Sequence, residues 1–98
     1  MDEYILRKST QKGKRFEIVM PKFNHSHHFA SSVGKTFIDH QDEQKKKAWI
    51  ARHKNDKNYN SKHSGIYHSR MLLWNKPTLA EAIKDYQKRH KVKIISKL

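Results

Sequence analysis

The chain has 98 residues and a mass of 11.7 kDa, with 22 Lys/Arg against nine Asp/Glu, a formal net charge of +13, 35% apolar and 32% charged residues, and no cysteine. A chain this short buries only roughly 60–70% of the surface it exposes when unfolded, and a charged fraction above the usual value of about 25% thins its core further. Disulfides and thiolate metal sites are excluded, no segment approaches the roughly 18 apolar residues that cross a bilayer, and Met1-Asp2-Glu3 opens with acids where a secretory leader would be basic.

Tyr4 and Leu6 alternate with Ile5 and Arg7, and after a turn at Gln11-Lys12-Gly13-Lys14, Phe16, Ile18 and Met20 alternate with Arg15, Glu17 and Val19. This period of two predicts a hairpin that ends at Pro21. Lys22 to Gly34 is polar and reads as a loop, and the β-prone run Lys35-Thr36-Phe37-Ile38 reads as a third strand.

Asp42-Glu43 then places acids in a first helical turn, and Trp49, Ile50 and His53 follow at helical spacing to about Lys54. Residues 55–65 are polar and read as a long loop. Ile66 to Trp74 is the most apolar window in the chain and must be buried. Pro77 and Thr78-Leu79-Ala80-Glu81 mark a capped helix start. Leu79, Ala82, Ile83 and Tyr86 give that helix one apolar stripe. The tail 91–98 alternates Val92 and Ile94 with Lys91 and Lys93 and reads as a last strand or a docking arm.

The expected fold class is therefore α+β in one domain over residues 1–98: strand-rich over 1–40, helical over 41–90, with a tail over 91–98. A small antiparallel N-terminal sheet of about three strands precedes two or three helices. Trp49, Leu72, Leu73, Trp74, Leu79, Ile83 and Tyr86 are the expected core. Both tryptophans are needed there, because large apolar residues are scarce.

Charge is uneven: residues 41–98 hold fifteen Lys/Arg against five Asp/Glu, whereas 1–40 hold seven against four. Lys45, Lys46, Lys47 and Arg52 on one helix, with Lys84, Lys88, Arg89, Lys91 and Lys93 at the end of another, are the candidate polyanion-binding residues. A field of this size on a small body attracts nucleic acid, anionic lipid or an acidic protein face. No zinc-finger spacing, nucleotide-stacking strand motif or recognition-helix pattern points to base-specific reading.

Eight histidines are present, most densely at His25-Ser26-His27-His28. That cluster could hold a metal or sense pH, but no Cys, Asp or Glu stands beside it, so the sequence predicts neither a metal site nor a cofactor. Gly65-Ile66-Tyr67 matches the opening of a GIY-YIG nuclease without its Tyr-Ile-Gly partner, and Gly34-Lys35-Thr36 lacks the upstream glycine of a phosphate loop. No enzyme and no small-molecule substrate is expected.

The run His40-Gln41-Asp42-Glu43 leading to Ala51-Arg52-His53, then Ser64-Gly65, then Leu72-Leu73-Trp74-Asn75-Lys76-Pro77-Thr78-Leu79, carries a resemblance, with Lys8-Ser9-Thr10 and Gly34-Lys35-Thr36 upstream. Over most of the chain up to about Arg89 it resembles short basic proteins encoded by nucleocytoplasmic large DNA viruses, chlorovirus-like and other giant viruses. Phe37-Ile38-Asp39 and the histidine-rich Lys22–Val33 segment depart from that pattern. The resemblance implies a virion, or a virus factory in the host cytoplasm, as the setting. It also implies a minor capsid or internal virion component as the role, with other virion or capsid proteins and viral DNA or RNA as partners. The alternative is a sequence-independent nucleic-acid-binding protein.

Overall fold

The computed structural model describes residues 2–98; Met1 lies outside them. The predicted hairpin forms from β1 (Asp2–Lys8) and β2 (Lys14–Met20), antiparallel with Leu6 opposite Ile18 and Lys8 opposite Phe16. Because side chains alternate across a strand, Tyr4, Leu6, Phe16, Ile18 and Met20 share one face, and all five are buried. A single 3-10 turn over Pro21–Phe23 leads directly into β3 (His25–Ser31), which pairs antiparallel with β2.

That strand corrects two expectations. The third strand is His25–Ser31, inside the segment read as loop, and Lys35–Ile38 is no strand: it leads into the one-turn helix α1 (Phe37–His40). The physical reason lies in Thr36 and Asp39, since the Asp39 carboxylate accepts hydrogen bonds from the Thr36 backbone N–H at 2.7 Å and from its hydroxyl at 2.9 Å. This capping-box spacing favours a helix start over a strand.

Helix α2 (Glu43–His53) begins where the acids predict, its Asp42 side chain accepting from the N–H groups of Gln44 and Lys45. The apolar window forms α3 (Gly65–Leu73), and α4 (Leu79–His90) starts at Thr78, whose hydroxyl accepts from Glu81 N–H. The chain then closes with β4 (Val92–Ser96), which lies parallel to β1 with Tyr4 beside Ile94. The sheet is thus four-stranded and mixed, in the order β3-β2-β1-β4, not a three-stranded antiparallel one, and four helices accompany it.

Helices α3 and α4 cover the face that carries Tyr4 and Ile18: Tyr4 meets Tyr86 edge-on at 6.3 Å, and Phe29 lies 5.9 Å from His68. Of the expected core, Trp49, Leu72, Leu73, Trp74 and Tyr86 are buried, while Leu79 and Ile83 are partly buried and pack against it. The opposite sheet face carries a half-buried row of Val19, Ile5 and Ile95, and an ionic row in which Glu17 sits 2.8 Å from Arg7 and 3.3 Å from His28. The Arg7 hydrogen bond holds the Glu17 carboxyl below its ordinary range although burial pulls the other way. No helix among the described residues is long and apolar enough to cross a membrane.

Candidate functional site: a cationic cleft

Antiparallel pairing of β2 with β3 brings the start of one strand beside the end of the other, with Lys14 opposite Ser31. The chain turns there twice, at Gly13-Lys14 and at Gly34-Lys35, and both glycines take left-handed backbone (φ of 84° and 90°). Side chains with a Cβ resist that conformation, which explains glycine at each corner. The two corners are joined by a hydrogen bond from Ser32 N–H to the Gly13 carbonyl at 3.0 Å. Each corner thereby holds an exposed lysine over the same hollow.

The other wall is α2. Its Trp49 lies flat against Trp74 at the end of α3, with ring centres 5.1 Å apart, and together they form the floor. Arg52, one turn beyond Trp49, lines the rim. The cleft encloses about 660 Å³, and a smaller hollow of about 360 Å³ adjoins it, sharing Lys35, Arg52 and Trp74 and adding Lys45. Lys14, Lys35, Lys45 and Arg52 are exposed, and among the described residues they carry no ion pair and no carboxylate lines either hollow.

Several other cations of the fold are by contrast engaged within it. Arg15 grips Asp39 with two hydrogen bonds of 2.7 and 2.9 Å, which hold that carboxyl far below its ordinary range. Lys46 points inward, its ammonium donating to the Asn75 carbonyl at 2.8 Å and lying 4.9 Å over the Phe37 ring. Asn75 Nδ2 donates to Asp85, and so does Arg89 Nε, each at 2.8 Å. Lys46 and Arg89 are therefore the two ends of a polar strut from α2 to α4.

The remaining predicted cations divide by location. Lys45, Lys47 and Arg52 are exposed on α2; Lys84, Lys88 and Lys91 follow one another at helical spacing on exposed positions of α4 and its cap. Lys93 lies opposite Glu3 on the uncovered sheet face, because its neighbours Val92 and Ile94 face the helices. The sequence reading missed Lys14 and Lys35. Their signal was the repeated Gly-Lys step, which local patterning could not place in one site.

A second cluster gathers the histidines. The rings of His25, His27 and His63 lie 5.8–6.4 Å apart, and His27 also stacks 5.8 Å from His68. Burial pushes His68 down to about 4, and lowers His27 and His90 as well. His68 Nε2 meets the Lys62 carbonyl at 2.7 Å, while its Nδ1, His27 Nε2 and the Tyr86 hydroxyl are buried without a protein partner. Among the described residues no three His, Asp or Glu side chains are arranged to hold a metal ion.

Fold and cleft together define a small basic α+β module built on a mixed four-stranded sheet. Residues 4–53 match the family of unknown function DUF5754, and the chain belongs to that family. The matched segment runs from β1 through α2 and contains all four cations of the cleft, Lys14, Lys35, Lys45 and Arg52. No curated protein and no solved structure matches the chain.

Proposed function

We propose that this chain is a non-enzymatic structural protein of a large DNA virus, a minor capsid or internal virion component that clasps polyanions: acidic faces of neighbouring virion proteins or packaged nucleic acid. One observation carries this reading. Among the described residues, only four of the 22 lysines and arginines carry an ion pair, and four unpaired ones line two adjoining hollows without a carboxylate.

Concentrated, uncompensated charge of this kind raises local anion concentration and favours association through counterion release. Binding a partner only when folded also stabilises a chain with so small a core. The viral setting rests on the sequence resemblance described above.

Quantitative mass spectrometry of gradient-purified particles of the encoding virus, washed at rising salt, tests the proposal. The expected result is a chain retained at low salt in many copies per particle and released as salt increases. A chain absent from the particles contradicts it.

A further inference from the structure

We infer that the cleft between the two Gly-Lys corners and α2 is a binding site for a single nucleic-acid strand, held by its phosphates without reading its bases. This rests on the polyanion reading above and names its ligand. Three features favour a strand over the other polyanions.

The first is shape. Duplex DNA is stiff over roughly 150 base pairs, and the protein measures only 35 × 30 × 27 Å. A duplex therefore crosses the molecule as a straight convex rod and meets only the rim of a concavity. A single strand bends into it, as strands do in basic grooves of single-strand binders.

The second is the spread of charge. Lys14 and Lys35 stand on the two tied corners and Arg52 on the helix opposite, with Lys45 in the adjoining hollow, so cations flank the cleft from both walls. A chain with a negative charge at every repeat can engage both walls at once. An acidic protein face brings basic and apolar groups too, and these would meet uncompensated lysines.

The third is the floor. Trp49 and Trp74 are 7% and 9% exposed and their faces cover one another, so neither is free to stack a base. Val33, 78% exposed at the rim, is the most exposed large apolar side chain offered there to a sugar or base edge. The site therefore takes phosphates and tolerates any sequence.

The test is fluorescence anisotropy of labelled 12-nucleotide oligo-dT, oligo-dA, a 12-base-pair duplex and a glutamate 12-mer, from 50 to 200 mM salt. Wild type is compared with Lys14→Gln/Lys35→Gln and with a charge-matched control, Lys22→Gln/Lys62→Gln, at the far end of the β2–β3 pair. Circular dichroism checks that each variant is folded, and single substitutions replace either pair if it is not. The expected result is tighter binding of both single strands than of duplex or peptide, with oligo-dT and oligo-dA within about threefold of each other. The cleft variant should bind single strands at least tenfold more weakly, and its slope of log affinity against log salt should be shallower by roughly 1.4, about 0.7 for each phosphate of the strand that a removed lysine would have neutralised. The control should weaken clearly less.

If both variants weaken single-strand binding equally, the cleft is not the site, although the polyanion reading stands. If duplex or peptide binds more tightly through the cleft, the ligand class is wrong. If none of the four probes binds at 50 mM salt, the polyanion reading falls with the inference.

Discussion

Trp49 and Trp74 stack face to face, with ring centres 5.1 Å apart and planes 12° from parallel, although Trp49 lies in α2 and Trp74 just past the end of α3. This pair fastens α2 to the end of α3 and forms the floor of the cationic cleft. Aromatic side chains bury more area than any other residues, so the stack is the main apolar anchor of a helix whose surface is otherwise mostly polar. Replacing Trp74 by alanine should cost about 3–5 kcal/mol, as large-to-small core changes do. Urea unfolding followed by circular dichroism measures it, and a variant within about 1 kcal/mol of wild type would show that the pair does not anchor α2.

Two neighbouring lysines should behave in opposite ways. Lys46 is a strut to the Asn75 carbonyl and Lys45 an exposed cleft cation. Lys46→Gln should lower stability by about 1.5–3 kcal/mol, the range for a hydrogen bond to a charged group, while leaving the salt dependence of anion binding unchanged. Lys45→Gln should leave stability within about 0.5 kcal/mol, as exposed surface changes usually do, while making that salt dependence shallower. Reversed outcomes would exchange the two assignments.

Stability should fall in mild acid. His68 is fully buried with a pKa of about 4, and burial lowers His27 and His90 too. The unfolded chain takes up protons on these rings near pH 6.5 and the folded chain only at lower pH. Between those points the unfolded state binds more protons and gains stability relative to the native one. The surroundings add to the effect: His25 and His63 oppose charge on His27, and Lys62 and Arg89 oppose it on His90. The loss begins as pH drops through about 6.5 and continues to about 4; the His68 share is roughly 3 kcal/mol at about 1.4 kcal/mol per unit. Chemical denaturation from pH 7.5 to about 4.5 measures this slope. It should be shallower in His68→Phe, and an equal slope in the two proteins would contradict the assignment.

Gly65 should not tolerate a methyl group. A Cβ there would come within 3.1 Å of the His28 carbonyl oxygen and 3.4 Å of Phe29 Cβ, because α3 begins directly against β3. Backbone has little room to move away, so Gly65→Ala should cost about 1–3 kcal/mol, the usual cost of overpacking. Thermal unfolding measures it; an unchanged midpoint would mean that α3 can shift along β3.

Legibility of the fold in the sequence followed the strength of local signals. The hairpin and the starts of α2 and α4 were readable because alternation, Asp42 and Thr78 act within a few residues. Strand β3 was hidden because its inward positions include His25 and His27 alongside Phe29. Imidazoles packed against one another and against His63 and His68 stand where aliphatic residues would signal a strand. The parallel pairing of β4 with β1 joins opposite ends of the chain and leaves no local pattern. The cleft was half legible for the same reason: Lys45 and Arg52 belong to a visible basic helix, whereas Lys14 and Lys35 meet them only through the β2–β3 register.

The role proposed for the uncompensated cations is to hold polyanions. Its most direct test is the affinity of the intact protein for a mixed set of polyanions, measured at 50 and 200 mM salt. At least one partner should bind at micromolar affinity or tighter, with affinity dropping about tenfold or more across that range, as the release of several counterions requires. Affinity too weak to detect for every polyanion, or affinity indifferent to salt, would contradict it.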